Sequence, residues 1–136
     1  MKSSITQEHD FGCAIACMAF ITNKSYQDLL MVLGNNKAAT RGIYCKELVE
    51  ILGKLGYFYS YNYLKPKLKV KIYQDSVIVF IQRSKKYPTG HYLVRYKNLW
   101  MDPWINLQTS SDIKKAKSGF RKRLPGRPIY GVFPEV

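Results

Sequence analysis

Gly12-Cys13-Ala14-Ile15-Ala16-Cys17-Met18-Ala19-Phe20-Ile21-Thr22-Asn23 is a run of small and apolar residues without a single charge. An exposed helix needs a polar face, and this stretch has none, so it reads as a central helix buried on most sides. Asp10 stands just ahead of it as a candidate N-cap. Ser25 is placed to cap a second helix, Tyr26 to Leu33, which Gly34 and the Asn35-Asn36 pair stop. Thr40 precedes a third helix, about Ile43 to Leu55. Its apolar stripe is Ile43, Leu48, Ile51, Leu52 and Leu55, and Gly56 ends it.

After Gly56 the pattern changes period. Tyr57 to Tyr63 is rich in aromatic residues, and Ser76 to Gln82 is a β-branched apolar run suited to a buried central strand. His91 to Tyr96 and Leu99 to Asp102 are two arms of a hairpin around Lys97-Asn98, and Ile129 to Phe133 is a last strand. Ser110 to Lys117 reads as a short basic helix. Helices first and strands second imply an α+β fold, with N-terminal helices packed on a C-terminal antiparallel sheet. A length of 136 residues implies a single domain over 1–136.

The composition, 46% apolar and 23% charged, is that of a globular chain and excludes wholesale disorder. The N-terminus carries no secretory pattern, and no apolar run approaches the roughly 18 residues of a membrane span. The expectation is a soluble, cytoplasmic protein. Three cysteines, Cys13, Cys17 and Cys45, are an odd count that argues for free thiols. The net charge of +13 is large and uneven, with four lysines between Lys65 and Lys71 and six basic residues between Lys114 and Arg123. Such a balance favours acidic protein partners, nucleic acid or anionic membrane surfaces. A solvated basic surface that aids solubility explains it equally well.

Four positions carry chemistry. A thiol attacks as the thiolate, and a free thiol, with a pKa of about 8.5, holds little thiolate at neutral pH. A helix N-terminus and a nearby imidazolium both favour the anion. Cys13 sits in the first turn of the central helix, between the small residues Gly12 and Ala14. Gln7, five intervening residues upstream, can loop back so that its side-chain amide joins the Cys13 N–H as an oxyanion donor. His91 opens the hairpin. With an even loop Tyr96 faces Leu99 and Leu93 faces Asp102, so His91 and Asp102 become diagonal neighbours on one face. Asp102 is then placed to orient the ring.

The order Gln7, Cys13, the Ala14-Ile15-Ala16-Cys17-Met18 helix, Gly90-His91-Tyr92-Leu93-Val94 and Met101-Asp102-Pro103 resembles the papain-like cysteine peptidases of the bacteriocin-processing type. That group removes double-glycine leader peptides and has many stand-alone relatives. The resemblance spans about residues 5 to 104. It implies a papain-like fold and a hydrolase acting on a peptide or protein substrate without a cofactor. It also implies Gln7 as oxyanion donor, Cys13 as nucleophile, His91 as general base and Asp102 as its orienter. Around the nucleophile the family usually carries Asp-Cys-Gly, where this chain has Gly12-Cys13-Ala14.

Three other readings use the same residues. His9, Cys13, Cys17 and Cys45 are types that bind zinc, but a buried apolar helix suits a four-ligand site poorly, and no short Cys-x-x-Cys knuckle is present. The basic stretches and 11 tyrosines permit a non-catalytic nucleic-acid-binding protein, although no recognisable motif for one occurs. The same thiol, base and oxyanion donor also run deamidation or acyl transfer.

Overall fold

The protein is described by a computed structural model covering residues 2–33, 42–107 and 112–135. The uncharged run forms helix α1, Cys13–Thr22, and every residue from Ala14 to Thr22 is buried. Its N-cap is Gly12, and no side chain caps it. Asp10 does not serve. A tight turn, with Gly12 N–H donating to the His9 carbonyl at 3.0 Å, separates its exposed carboxylate from the helix. Helix α2, Tyr26–Leu33, is capped as expected, because Ser25 Oγ accepts the Asp28 N–H at 3.0 Å.

Helix α3, Cys45–Lys54, starts later than its apolar stripe suggests. Its first turn is closed by the Tyr44 N–H donating to Glu47 Oε1 at 3.0 Å. It ends on paired bonds from Gly56 N–H to the Gly53 carbonyl and from Tyr57 N–H to the Leu52 carbonyl. The expected stop at Gly34 to Asn36 and the expected cap at Thr40 lie outside the described residues.

Six strands follow: β1 Tyr59–Tyr63, β2 Ile78–Ile81, β3 His91–Tyr96, β4 Leu99–Asp102, β5 Gly119–Arg121 and β6 Pro128–Pro134. They form one sheet in the order β1-β6-β2-β3-β4-β5, with every neighbouring pair antiparallel. Two elements had no sequence counterpart. One is the short helix α4, Pro66–Lys69, which runs into a 3₁₀ turn, Val70–Tyr73, inside the lysine stretch. The other is β5, whose three residues are too few to show a period. The expected helix over Ser110 to Lys117 is, within the described residues, a single 3₁₀ turn at Ile113–Lys115.

Helix α1 packs on β3 and touches α2 and α3, so it is walled in on several sides. Strand alternation divides the sheet's side chains between two cores. Tyr92, Val94 and Met101 join the helices. Val79, Ile81, Leu93 and Trp100 form a second cluster with Leu64 and Ile72 from the segment after β1. Among the described residues no helix is long and apolar enough to cross a membrane.

Candidate active site

Cys13 is the first residue of α1 and is partly exposed. It lines a cavity of about 980 Å³ together with Gln7, Asp10, His91, Trp104 and others. The residue before it must be small. A Cβ on Gly12 would lie 2.0 Å from the Tyr26 hydroxyl, which fills that space. The other two thiols differ from Cys13. Cys17 is fully buried one turn later, and burial pushes its pKa well up. Cys45 sits 3.5 Å from the Tyr92 hydroxyl, and burial raises its pKa too.

The hairpin has the register its loop predicts, with Tyr96 opposite Leu99 and Val94 opposite Met101. His91 and Asp102 therefore meet, with Nε2 2.7 Å from Asp102 Oδ1 and both residues buried. The ring also interacts with Cys13, which lines the same cavity and favours the charged imidazole. His91 is able to do this because it is the first residue of β3, at the end of the sheet. Gly90 just ahead of it has φ +81, and a Cβ there would lie 2.1 Å from Phe80 Cζ. Burial alone would lower the His91 pKa. The hydrogen bonds to Asp102 and Cys13, and the charges of both, more than reverse that and raise it to about 9. Burial likewise opposes the Asp102 carboxylate, yet its pKa is lowered. The His91 bond, the Trp104 N–H at 3.0 Å and Arg121 outweigh desolvation.

Gln7 is buried and lines the same cavity as Cys13 and His91. Its N–H donates to the Pro103 carbonyl at 3.2 Å, which ties the N-terminal segment to the loop after Asp102. Thr6 reinforces the tie by accepting the Ser118 N–H at 3.1 Å. The Gln7 side chain holds the turn before α1, because Nε2 donates to the His9 carbonyl at 2.9 Å and the Asp10 carbonyl at 3.2 Å. Oε1 is buried without a hydrogen-bond partner among the described residues. In this arrangement the amide N–H groups are turned to the backbone.

Two further residues complete the constellation, and neither was singled out from sequence. Arg121 Nη1 donates to Asp102 Oδ2 at 2.9 Å, so both carboxylate oxygens are engaged. Tyr87 lies flat on the imidazole, with ring centroids 4.7 Å apart and planes at 10°. Arg121 is hidden in sequence within a run of six basic residues, and only the pairing of β5 with β4 brings it near. Tyr87 is one of 11 tyrosines, and its place four residues before His91 was the one local signal.

The chain matches no family model and has no significant match among curated proteins. Among solved structures it is similar to the peptidase domain of Streptococcus ComA, a bi-functional ABC transporter involved in a quorum-sensing pathway. The two share 18% sequence identity at a TM-score of 0.60, over 96% of this chain and 95% of that one. The fold is that of a papain-like peptidase domain. Within this papain-like fold, the residue types weighed as zinc ligands have other neighbours. His9 Nδ1 lies 3.0 Å from the Tyr26 hydroxyl, Cys17 is enclosed in α1, and Cys45 meets Tyr92. Among the described residues, no three His, Cys, Asp or Glu side chains are grouped as a metal ion would require.

Proposed function

We propose that the chain is a cysteine peptidase of the bacteriocin-processing type, with Cys13 as nucleophile, His91 as general base and acid, and Asp102 as the group that orients His91. One observation carries the reading. A buried imidazole, 2.7 Å from a buried carboxylate, shares the wall of a large cavity with a partly exposed helix-tip thiol that helps to hold the ring charged. The order of these residues along the chain and the likeness in fold support it further.

With its pKa raised to about 9, His91 holds a proton at neutral pH opposite the Cys13 sulfur. The sulfur attacks the carbonyl carbon, and the C=O π pair moves onto oxygen. The Cys13 N–H, in the first turn of α1 where amides lack partners within the helix, faces that charge. Gln7 joins it by exchanging its longer bond, to the Asp10 carbonyl, for the oxyanion. Collapse breaks the C–N bond, and the proton on His91 passes to the leaving amine. Neutral His91 then takes a proton from water, whose oxygen attacks the thioester. The second collapse releases the acid and returns the sulfur to its starting state. Three free thiols suit work in a reducing compartment such as the cytoplasm.

The test is a thiol-directed activity probe followed by mass mapping, alongside turnover of a peptide mixture. Cys13 should label well before Cys17 and Cys45. Cys13→Ser and His91→Ala should each lower turnover by about 10³-fold or more. Uniform slow labelling of the three thiols, or turnover in either variant close to that of the parent, would break the assignment.

A further inference from the structure

The cavity that holds Cys13 has an uneven electrostatic wall. Its lining includes four exposed cations, Lys46, Arg83, Lys85 and Lys86, against one exposed carboxylate, Asp10. Both ion pairs found among the described residues involve Asp102, so no carboxylate there neutralises any of the four. Three of these cations lie on the loop from β2 to β3, which leaves the sheet where Ile81 pairs with His91. The loop is folded on itself, with Ser84 N–H donating to the Tyr87 carbonyl and Tyr87 N–H to Ser84 Oγ. Lys86 Nζ stands 5.5 Å from the centroid of the Tyr87 ring, whose plane is stacked on His91. The loop that carries three of the cations is thus anchored beside His91. Arg127 joins the same end of the sheet, where its carbonyl accepts the Gln82 N–H at 2.8 Å.

The opposite end of the sheet is built differently. There Asp75 accepts the Lys97 N–H at the β3–β4 turn, and Glu135 follows β6. Acids therefore sit among the bases at the far end, whereas at the thiol end four exposed cations face Asp10 alone, Asp102 being buried and already paired. The walls between the cations are aromatic, with Tyr61, Phe80 and Tyr130 among them. An aromatic wall beside cations that form no ion pair among the described residues fits a segment whose apolar side chains are flanked by carboxylates. The geometry points to a substrate that is a peptide segment with Asp or Glu within a few residues of the bond that is cut. The loop of Arg83, Lys85 and Lys86 selects it. The inference rests on the peptidase reading and adds the chemical class of the substrate. Exposed cations act through steering and KM, and salt weakens them.

The experiment has a binding arm and a cleavage arm. In the first, the Cys13→Ala protein is titrated with fluorescent oligoglutamate, oligoglutamine and oligothymidylate. Two double variants with equal change in net charge are compared: Lys85→Glu with Lys86→Glu at the cavity, and Lys54→Glu with Lys97→Glu away from it. Oligoglutamate should bind about tenfold tighter than oligoglutamine at low salt. The preference should vanish in the cavity variant and persist in the distal one. In the second arm, a chymotryptic digest of a bacterial lysate is incubated with the parent protein, and new cleavage sites are mapped against the Cys13→Ala background. Asp and Glu should be enriched near those sites, and the cavity variant should lose the enrichment. Equal loss in both double variants, or cleavage sites without acidic neighbours, overturns the proposal. Cavity-dependent binding of oligothymidylate without any preference for oligoglutamate overturns it in favour of nucleic acid. Cavity-dependent oligoglutamate binding with no cleavage above background breaks the peptidase reading and removes the substrate with it.

Discussion

Asp102 is held from two flanks of unlike character. On one, the β3–β4 hairpin brings His91 from 11 residues away, and both partners are buried. On the other, β5 brings Arg121 from 19 residues away, and that side chain keeps 27% of its surface exposed. A buried hydrogen-bonded pair fixes the position of atoms. A partly exposed guanidinium, screened by water, mainly adjusts charge. The hairpin flank therefore sets the geometry of the imidazole and does most to keep the carboxylate ionised, and the β5 flank adds a smaller, screened contribution.

Breaking the hairpin flank should have the larger effect. Asp102→Asn should lower kcat/KM by about 10²- to 10⁴-fold. It should also move the alkaline limb of the pH profile. In the parent, the protonated imidazole is present below about 9 and is lost as pH rises through that value. Without the carboxylate the limb should fall toward the ordinary histidine value of 6.5. A limb that stays near 9 would mean that Asp102 does not govern His91.

Gln7 belongs to neither flank and so serves as an internal control. Gln7→Ala should lower kcat by about 10²-fold with the limb unmoved. A loss of thermal stability without a loss of kcat would reduce Gln7 to an anchor of the turn before α1. Arg121→Leu should give the smallest change, about tenfold or less in kcat/KM. Its limb should move up, because a cation that competes with the imidazolium for Asp102 is gone. Opposite displacements in the Asp102 and Arg121 variants would sharpen the division between the flanks. Displacements in the same direction would abolish it.

The two flanks were also unequally legible in sequence. The His91–Asp102 meeting follows from a two-residue turn and strand alternation, both local properties, and the hairpin bounds agree with the structure. Helix α1 was legible because an uncharged run has nowhere to go but inside. Arg121 was not, because three residues of β5 carry no period and their partner strand is fixed by the whole sheet. Asp10 was misread as a cap because the turn at 9–12 depends on Gln7 folding back onto two carbonyls, a contact no propensity encodes. The basic runs could be counted, but the four cations of the cavity lie outside both of them, and only the folded sheet and its β2–β3 loop bring them to the thiol.

The contact between position 90 and Phe80 bears on how this protein can change over time. Any side chain at position 90 collides with the neighbouring ring, and the positive φ adds a backbone penalty of about 1 kcal/mol or more. A lineage that first shrinks Phe80 faces only the second obstacle, whereas one that first enlarges position 90 meets both and displaces the imidazole next door. The two positions are therefore historically ordered. Drift at the start of β3 must pass through β2, and a descendant bearing a side chain at 90 should carry a smaller residue at 80.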